Sequence, residues 1–162
     1  MIFLKIIYHL NSAMKKMFYK LIFNKKVKFG KGSNFRKRFN IMLEGKGNIS
    51  IGKSCFFNND CSINSLDYIS IGDNTIFGEN VRLYDHNHRF SNINESIMNQ
   101  GYNTAPIKIG HDCWIGSNVV ILKGVTIGDN VIVGAGCIIK EDIPNNMIVR
   151  GDIKLNLVER RA

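Results

Sequence analysis

Two histidines stand close together in the segment Asp85-His86-Asn87-His88-Arg89. An imidazole has a pKa of about 6.5, so it can take a proton from a hydroxyl group near neutral pH. The segment therefore predicts a general base, and His88 and His86 are the candidate catalytic residues. Two other interpretations stay open. The histidines could simply hydrogen-bond within a loop, or they could bind zinc together with Asp85 and a third histidine, such as His111.

This histidine segment interrupts a six-residue repeat. An aliphatic residue recurs at every sixth position between residues 109 and 139, at Ile109, Ile115, Ile121, Ile127, Val133 and Ile139. A helix repeats every 3.6 residues and a strand every two, so neither explains this spacing. Hexapeptide β-helices do, because each six residues form one short strand and a turn. A glycine follows several of the aliphatic residues, at a bend where we expect a left-handed backbone conformation.

The same repeat occurs earlier in the chain. Large apolar residues keep the spacing at positions 51, 57 and 63 and at positions 71, 77 and 83, and a degenerate first repeat begins at Phe29. The frame slips by two residues near Asp67 and Tyr68, which indicates a small bulge. Residues 84–108 do not fit the repeat. We therefore expect them to form a long projecting loop that can reach a neighbouring subunit.

The repeats resemble those of the hexapeptide-repeat acetyltransferases, which include galactoside, maltose and xenobiotic acetyltransferases. The resemblance rests on Trp114-Ile115-Gly116-Ser117 and Gly124-Val125-Thr126-Ile127-Gly128, and it covers roughly residues 27–151. It implies an all-β solenoid, a left-handed parallel β-helix of triangular section assembled as a homotrimer. It also implies acetyl-CoA as co-substrate and a loop histidine as base. By ungapped count His88 matches that base, and Asn87-His88-Arg89 is similar to the xenobiotic acetyltransferase motif.

The resemblance also implies binding residues. Asn58 matches an acceptor-binding asparagine of galactoside acetyltransferase, although an asparagine in a left-handed turn would explain this position equally well. Asp85 is the second candidate acceptor-binding residue. Acetyl-CoA would lie in a groove between adjacent β-helices, and the implied cofactor-binding residues are Trp114, Ser117, Ala135, Lys140 and Lys154. The segment Gly151-Asp152-Ile153-Lys154 lacks a proline that the family usually has, which leaves the contact of Lys154 with the cofactor open.

The charge of the chain is concentrated at its beginning. The sequence has 22 basic and 13 acidic residues, yet residues 1–43 contain eleven of the basic residues and no acidic one. Residues 1–26 have apolar positions at helical spacing and are predicted to form a basic amphipathic helix. Lysines interrupt any apolar run long enough to span a bilayer, and the segment is not a convincing signal peptide. The helix could cap the β-helix, pack on a neighbouring subunit or, through residues 1–24, lie on an anionic membrane.

The four cysteines fall in one repeat position. Cys55, Cys61, Cys113 and Cys137 each lie four residues after a repeat aliphatic or aromatic residue, where the other repeats carry small residues such as valine. This pattern favours small buried side chains, and free thiols are consistent with a cytoplasmic location. A reactive thiol, a disulfide and a metal site remain less favoured alternatives, since no CxxC spacing is present.

Taken together, the sequence predicts three segments: a basic helix (1–26), a β-helix with one loop (27–151, loop 84–108) and a tail (152–162). The predicted function is acetyl-CoA-dependent O-acetylation of a sugar or polysaccharide-precursor hydroxyl by direct transfer. The alternatives are N-acetylation of an amino-sugar nucleotide and a non-catalytic scaffold. No metal and no nucleic-acid partner is expected. The acceptor could be lipid-linked, which would place the protein at the inner face of the membrane.

Overall fold

The computed structural model describes residues 2–151, and for residues 2–8 it describes the backbone alone. Helix α1 spans Ile2–Phe23, and a 3-10 turn at Asn24–Lys26 leads into the first strand. The first coil contains β1 (Val27–Phe29), β2 (Asn34–Phe35) and β3 (Asn40–Leu43). The second contains β4 (Asn48–Ile51), β5 (Phe56–Phe57) and β6 (Ser62–Ser65), and the third β7 (Tyr68–Ile71), β8 (Ile76–Phe77) and β9 (Arg82–Tyr84).

An insertion separates the third and fourth coils. It contains β10 (His86–His88), a 3-10 turn at Ile97–Asn99 and β11 (Tyr102–Thr104). The fourth coil is formed by β12 (Ile107–Ile109), β13 (Trp114–Ile115) and β14 (Val120–Ile121). The fifth is formed by β15 (Thr126–Ile127), β16 (Ile132–Val133) and β17 (Ile138–Ile139), and the sixth begins with a bridge at Ile143 and contains β18 (Ile148–Val149).

Equivalent strands of successive coils pair in parallel and build three faces. Face A consists of β1, β4, β7, β12 and β15; face B of β2, β5, β8, β13, β16 and β18; and face C of β3, β6, β9, β14 and β17. The register keeps the repeat positions stacked, as shown by Ile51, Ile71 and Ile109 on face A. The predicted all-β solenoid, a left-handed parallel β-helix, is therefore confirmed, and it has about six turns.

Two side chains from each six-residue unit fill the interior. The repeat aliphatic or aromatic residues from Phe35 to Ile139 are buried, and so is the residue four positions later in most units; all four cysteines lie in this second set as free thiols. Burial raises the pKa of the Cys61 thiol to about 11 and also raises the pKa values of Cys55 and Cys113. All four cysteines are therefore small buried side chains, as predicted, and burial disfavours the nucleophilic thiolate of Cys55, Cys61 and Cys113.

The reason for the repeat glycines differs from the prediction. The glycine after each repeat aliphatic does not have a positive φ; the left-handed residues lie two positions further on and are mostly asparagine or aspartate, as at Asn74 and Asn118. The glycines are needed for close approach between coils. A Cβ on Gly72 would lie 2.6 Å from the carbonyl carbon and oxygen of Gly110 in the next coil. The bend at these glycines was predicted correctly, but the predicted reason for glycine, a left-handed backbone conformation, was wrong.

Substitution of Gly72 by alanine is accordingly expected to lower the free energy of unfolding by about 2–3 kcal/mol, because backbone atoms must move apart. Gly134→Ala is the matched comparison. It changes the same repeat position near the end of the stack, where the closest atom to a new Cβ is 3.1 Å away. Its effect should stay below about 1 kcal/mol. Equal losses for the two variants in denaturant unfolding would contradict the close-approach explanation.

Helix α1 caps the open end of the first coil. No earlier coil is available to pair the backbone of β2 and the turns beside it, and side chains of the helix take that place. The Ser12 hydroxyl accepts a hydrogen bond from Phe35 N–H (3.3 Å), while Lys15 and Lys16 donate to the carbonyls of Phe39 and Ser33, each at 2.7 Å. Tyr19 is buried among the aromatic rings of the first coil. Of the placements that the sequence left open for this helix, the structure shows the cap on the β-helix.

The insertion is a β-hairpin, which the sequence did not predict. Strands β10 and β11 pair antiparallel, with His86 opposite Thr104 and His88 opposite Tyr102. Residues 89–99 between them are exposed, so the predicted projection from the solenoid is confirmed. Within residues 2–151, no helix has both the length and the apolar character required to cross a bilayer.

Candidate active site

A buried carboxylate lies where the hairpin leaves the solenoid. Asp85 follows β9, and its side chain is completely buried. One carboxylate oxygen accepts hydrogen bonds from the Ser65 hydroxyl (2.6 Å) and Asp67 N–H (2.9 Å), and the other accepts from Leu66 N–H (2.8 Å). A buried charge is tolerated only when it is paired in this way. The two extra residues that shift the repeat frame near Asp67 therefore form the turn that binds Asp85.

His86 is held against this carboxylate. Its Nδ1 lies 3.1 Å from Oδ1 of Asp85, and only 12% of its side chain is exposed. If Nδ1–H donates to the carboxylate, Nε2 keeps its lone pair, as in hydrolase triads where an aspartate orients a histidine. The ring also contacts Tyr84 and Tyr102 edge to face, with centroid distances of 6.3 and 5.4 Å. These contacts fix the root of the hairpin.

His88 lies two residues further along the same strand and is exposed. Alternate residues of a strand share a face, so His86 and His88 point to the same side of the hairpin. The His88 ring lies over Tyr102 with a centroid distance of 4.5 Å. The structure thus brings both candidate bases and Asp85 together. The sequence did not predict Ser65 as a partner of Asp85, or Tyr102 as a partner of the two histidines. The frame slip near Asp67 was the only sequence signal of the turn that binds Asp85.

The predicted cofactor residues lie mostly along another corner. Ser117 and Ala135 occupy equivalent positions in the turns that connect face B to face C in the fourth and fifth coils, and Trp114 precedes them on face B. Trp114 is 53% exposed. Asn58 lies at the same corner in the second coil. We call this line of turn residues the B–C ridge.

Lys140 lies apart from the B–C ridge. It follows β17 at the corner where face C ends, and it is exposed. The hairpin leaves from this same corner, two coils earlier. Lys154 lies outside the residues that the structure describes.

Face C separates the histidine hairpin from the B–C ridge within one chain. In the first three coils, this face forms a polar groove of about 590 Å³. The groove is lined by Asn40, Asp60, Ser62, Asn64, Asn80, Arg82 and Tyr84. Tyr84 immediately precedes Asp85, so the groove ends at the root of the hairpin. Amide, hydroxyl and guanidinium groups beside an aromatic ring can hydrogen-bond a polyhydroxylated ligand.

The two predicted acceptor residues have different environments. The Asp85 carboxylate has no exposed surface, so its burial does not fit a direct contact with an acceptor; the geometry indicates that it positions His86. The side-chain oxygen of Asn58 accepts from Arg36 Nη1 (3.1 Å) and from Asn59 N–H (2.9 Å). The left-handed residue of that turn is Asp60, so the alternative explanation of Asn58 as a left-handed turn residue is wrong.

The third histidine considered for zinc lies elsewhere. His111 belongs to a turn between faces A and B, and its Nδ1 accepts a hydrogen bond from Asp73 N–H at 3.0 Å. Among residues 2–151, no three His, Cys, Asp or Glu side chains form a group that could bind a metal ion. The described residues therefore do not provide the three converging ligands of a catalytic zinc site.

Comparison with known proteins supports the resemblance. Residues 106–141 match the family model described as bacterial transferase hexapeptide, six repeats. The galactoside O-acetyltransferase of Escherichia coli is 41% identical over 104 residues, which are 64% of this chain and 50% of that protein. A putative lipopolysaccharide biosynthesis O-acetyl transferase of Escherichia coli is 28% identical over 129 residues, covering 74% of this chain and 66% of the relative.

A solved structure gives the same result. The hexapeptide-repeat acetyltransferase of Vibrio cholerae, crystallised with acetyl-CoA, has a TM-score of 0.65 and 29% sequence identity, with 75% of this chain and 64% of that chain covered. The chain spans about half the length of the galactoside O-acetyltransferase that it matches. The predicted similarity to these enzymes is confirmed over the solenoid.

Proposed function

Because the chain is a hexapeptide-repeat protein similar in sequence and fold to acetyltransferases, we propose that it transfers the acetyl group of acetyl-CoA to a sugar hydroxyl. The observation that carries the proposal is the pair of histidines on one face of a hairpin, rooted on the buried Asp85 beside a polar groove. The relatives named for galactoside and lipopolysaccharide acetylation favour a sugar or polysaccharide precursor as acceptor.

His88 is the proposed general base. It is exposed, so an acceptor can reach it, and its ring is supported by Tyr102. The neutral imidazole would take the hydroxyl proton as the acceptor oxygen attacks the thioester carbonyl carbon. The carbon–sulfur bond then breaks, and the proton passes to the departing sulfur of CoA. The pair of His86 and Asp85 would hold the hairpin so that His88 stays in reach of the acceptor.

The exposed residues of the solenoid fit a CoA-type substrate. Face B carries an outward row of apolar side chains in register, namely Ile76, Trp114, Ile132 and Ile148, and three of these are exposed. Such a row provides apolar contact for a pantetheine arm or a neighbouring chain. A Cβ on Gly136 would meet no atom within 4 Å, so the B–C ridge is open at this point. The exposed Lys140 lies on the other edge of face C, so it would provide a cation for a phosphate of CoA bound on the ridge of a neighbouring copy.

The site is proposed to form between two copies of the chain. The histidine hairpin and the B–C ridge lie on opposite edges of face C, so one chain cannot close around both substrates. A cyclic trimer would place the hairpin of one copy opposite the ridge of the next. The acceptor would then occupy the polar groove on face C, with its reactive hydroxyl at the end that lies beside Tyr84.

Subunit mixing tests this arrangement. His88→Ala and Ala135→Trp should each be inactive, the first without a base and the second with a bulky group on the ridge. When the two variants are unfolded and refolded together, random assembly should give about one quarter of the sites a wild-type hairpin and a wild-type ridge. Activity should therefore return in the mixture. No recovery, although mixed oligomers are present, would show that both elements of a site come from one chain.

The reaction itself is tested with acetyl-CoA and matched sugar acceptors. Release of the CoA thiol should depend on a hydroxyl sugar, and the product should gain one acetyl group that mild alkali removes, as expected for an ester. An alkali-stable product formed only with amino sugars would assign N-acetylation instead. Failure of the purified protein to bind acetyl-CoA in a calorimetric titration would reject both reactions and favour the scaffold.

A further inference from the structure

Helix α1 has an apolar face that the solenoid does not cover. The residues that pack on the first coil are Ser12, Tyr19 and Phe23, which lie on one side of the helix. A second set lies about 180° away on a helix with 3.6 residues per turn. It consists of Leu10, Met14, Met17, Phe18 and Leu21, and we call it the outer stripe. Met14, Met17 and Leu21 are 66%, 71% and 83% exposed.

This exposure is unusual for a terminal cap. A capping element normally presents a polar outer surface, because its purpose is to end the stack in water. Here Ile22 extends the outer stripe toward the end of the helix, and it is also exposed. A contiguous apolar surface of this kind marks an interaction site rather than a solvent-facing one.

The surroundings of the outer stripe are basic. Lys20, Lys25 and Lys28 line a surface depression of about 660 Å³ at the C-terminal end of α1, with no Asp or Glu among the described residues that line it. Lys25 and Lys26 also line a second depression, together with Ile22 and one acidic residue, Glu44. Lys15 and Lys16 serve another purpose, since their ammonium groups donate to carbonyls of the first coil. Residues 1–43 contain eleven basic residues and no acidic one, so this end of the molecule attracts anions.

We propose that the outer stripe and the lysines beside it dock the protein on the surface of a bilayer that contains anionic lipids. Apolar side chains of an interfacial helix enter the boundary between head groups and acyl chains, while lysines beside them bind the phosphates. The inner face of α1 stays on the first coil, so the solenoid is attached through its capped end. This proposal does not depend on the acetyl transfer proposed above.

Charge favours a lipid surface over a second copy of this chain. Two copies that met through their outer stripes would bring two lysine-rich surfaces together with no acidic residue of this segment to compensate them. Like charges across an interface oppose association. An anionic bilayer offers both an apolar layer for the stripe and negative charge for Lys20, Lys25 and Lys28.

Sedimentation with vesicles tests the proposal on the full chain. The wild type should bind vesicles of equimolar phosphatidylcholine and phosphatidylglycerol, and binding to phosphatidylcholine alone should be far weaker. Each lysine near an anionic surface contributes about a fivefold increase in affinity, so the combined change of Lys20, Lys25 and Lys28 to Gln should weaken binding roughly 100-fold. The combined change of Met14, Met17 and Leu21 to Gln should abolish sedimentation with both vesicles.

Matched variants make the test specific. Phe90, Ile93 and Met98 are exposed apolar residues of the hairpin insertion, and their change to Gln should leave vesicle binding unaltered. The combined change of Lys108, Lys123 and Lys140 to Gln removes an equal charge from the later coils, and it should also leave vesicle binding unaltered. Equal binding to both vesicles by the wild type would overturn the proposal. So would a stripe variant that keeps vesicle binding but changes the oligomer size in analytical ultracentrifugation, because a second copy would then cover the stripe.

Discussion

His88→Ala is expected to lower kcat by about 10²- to 10⁴-fold, the usual contribution of a positioned general base. The KM for acetyl-CoA should change little, since the proposed cofactor contacts come from the B–C ridge, whereas His88 is proposed to act on the acceptor hydroxyl. The ring is exposed and rests on Tyr102, so its removal leaves no buried polar group unpaired. Stability should therefore stay close to that of the wild type. Release of the CoA thiol at saturating acceptor measures kcat directly.

Two controls separate the loss of a base from other effects. His111→Ala also removes an exposed histidine, but from a turn between faces A and B, and it should keep wild-type kcat. Added imidazole should restore part of the activity of His88→Ala, because a free base can enter the space that the side chain leaves. If His88→Ala stays active and His86→Ala loses turnover without loss of stability, the base is His86.

The solenoid could be predicted because the residues that specify each turn of it are close together in the sequence. Each six-residue unit specifies one buried aliphatic residue and one buried small residue, and Ile109 and Cys113 are buried as their positions require. Stacking then follows, since each unit buries its interior only against the next coil. The constraint on Gly72 could not be derived in the same way. Its close contact is with Gly110, in the next coil but 38 residues away because the insertion lies between them.

The site was only partly predictable for the same reason. The histidines were recognised by their chemistry, and the insertion by the loss of the repeat. The partners of Asp85 come from the preceding coil, at Ser65, Leu66 and Asp67, and they adjoin Asp85 only once the coils are stacked. The frame slip near Asp67 marked a bulge but gave no indication that its N–H groups bind a carboxylate. Pairing of His88 with Tyr102 required the hairpin register, which alternation alone does not give.

The second large effect is expected at Asp85, and it concerns stability first. Asp85→Ala should lower the free energy of unfolding by about 3–5 kcal/mol, because the buried Ser65 hydroxyl and the partly buried N–H groups of Leu66 and Asp67 lose their acceptor at once. Asp129→Ala is the matched control. This aspartate accepts one hydrogen bond, from His111 N–H at 2.7 Å, in an exposed repeat turn, so its removal should cost about 0.5–1.5 kcal/mol. Denaturant unfolding of both variants measures the difference, and equal losses would contradict the role of Asp85 as the anchor of the turn.

Asp85→Asn separates anchoring from positioning. The amide has nearly the shape of the carboxylate, but its NH₂ group must face a donor, either a backbone N–H of the turn or Nδ1–H of His86. When the NH₂ group faces His86, Nδ1 can no longer donate to it and must accept instead, so the tautomer should change and the ring nitrogen shifts in an NMR spectrum should move. A displaced hairpin root carries His88 with it, and a misplacement of about 1 Å can lower kcat by on the order of 10²-fold. The activity of Asp85→Asn is measured well below its unfolding temperature. A wild-type kcat together with altered His86 shifts would show that the pair of Asp85 and His86 stabilises the turn without positioning the base.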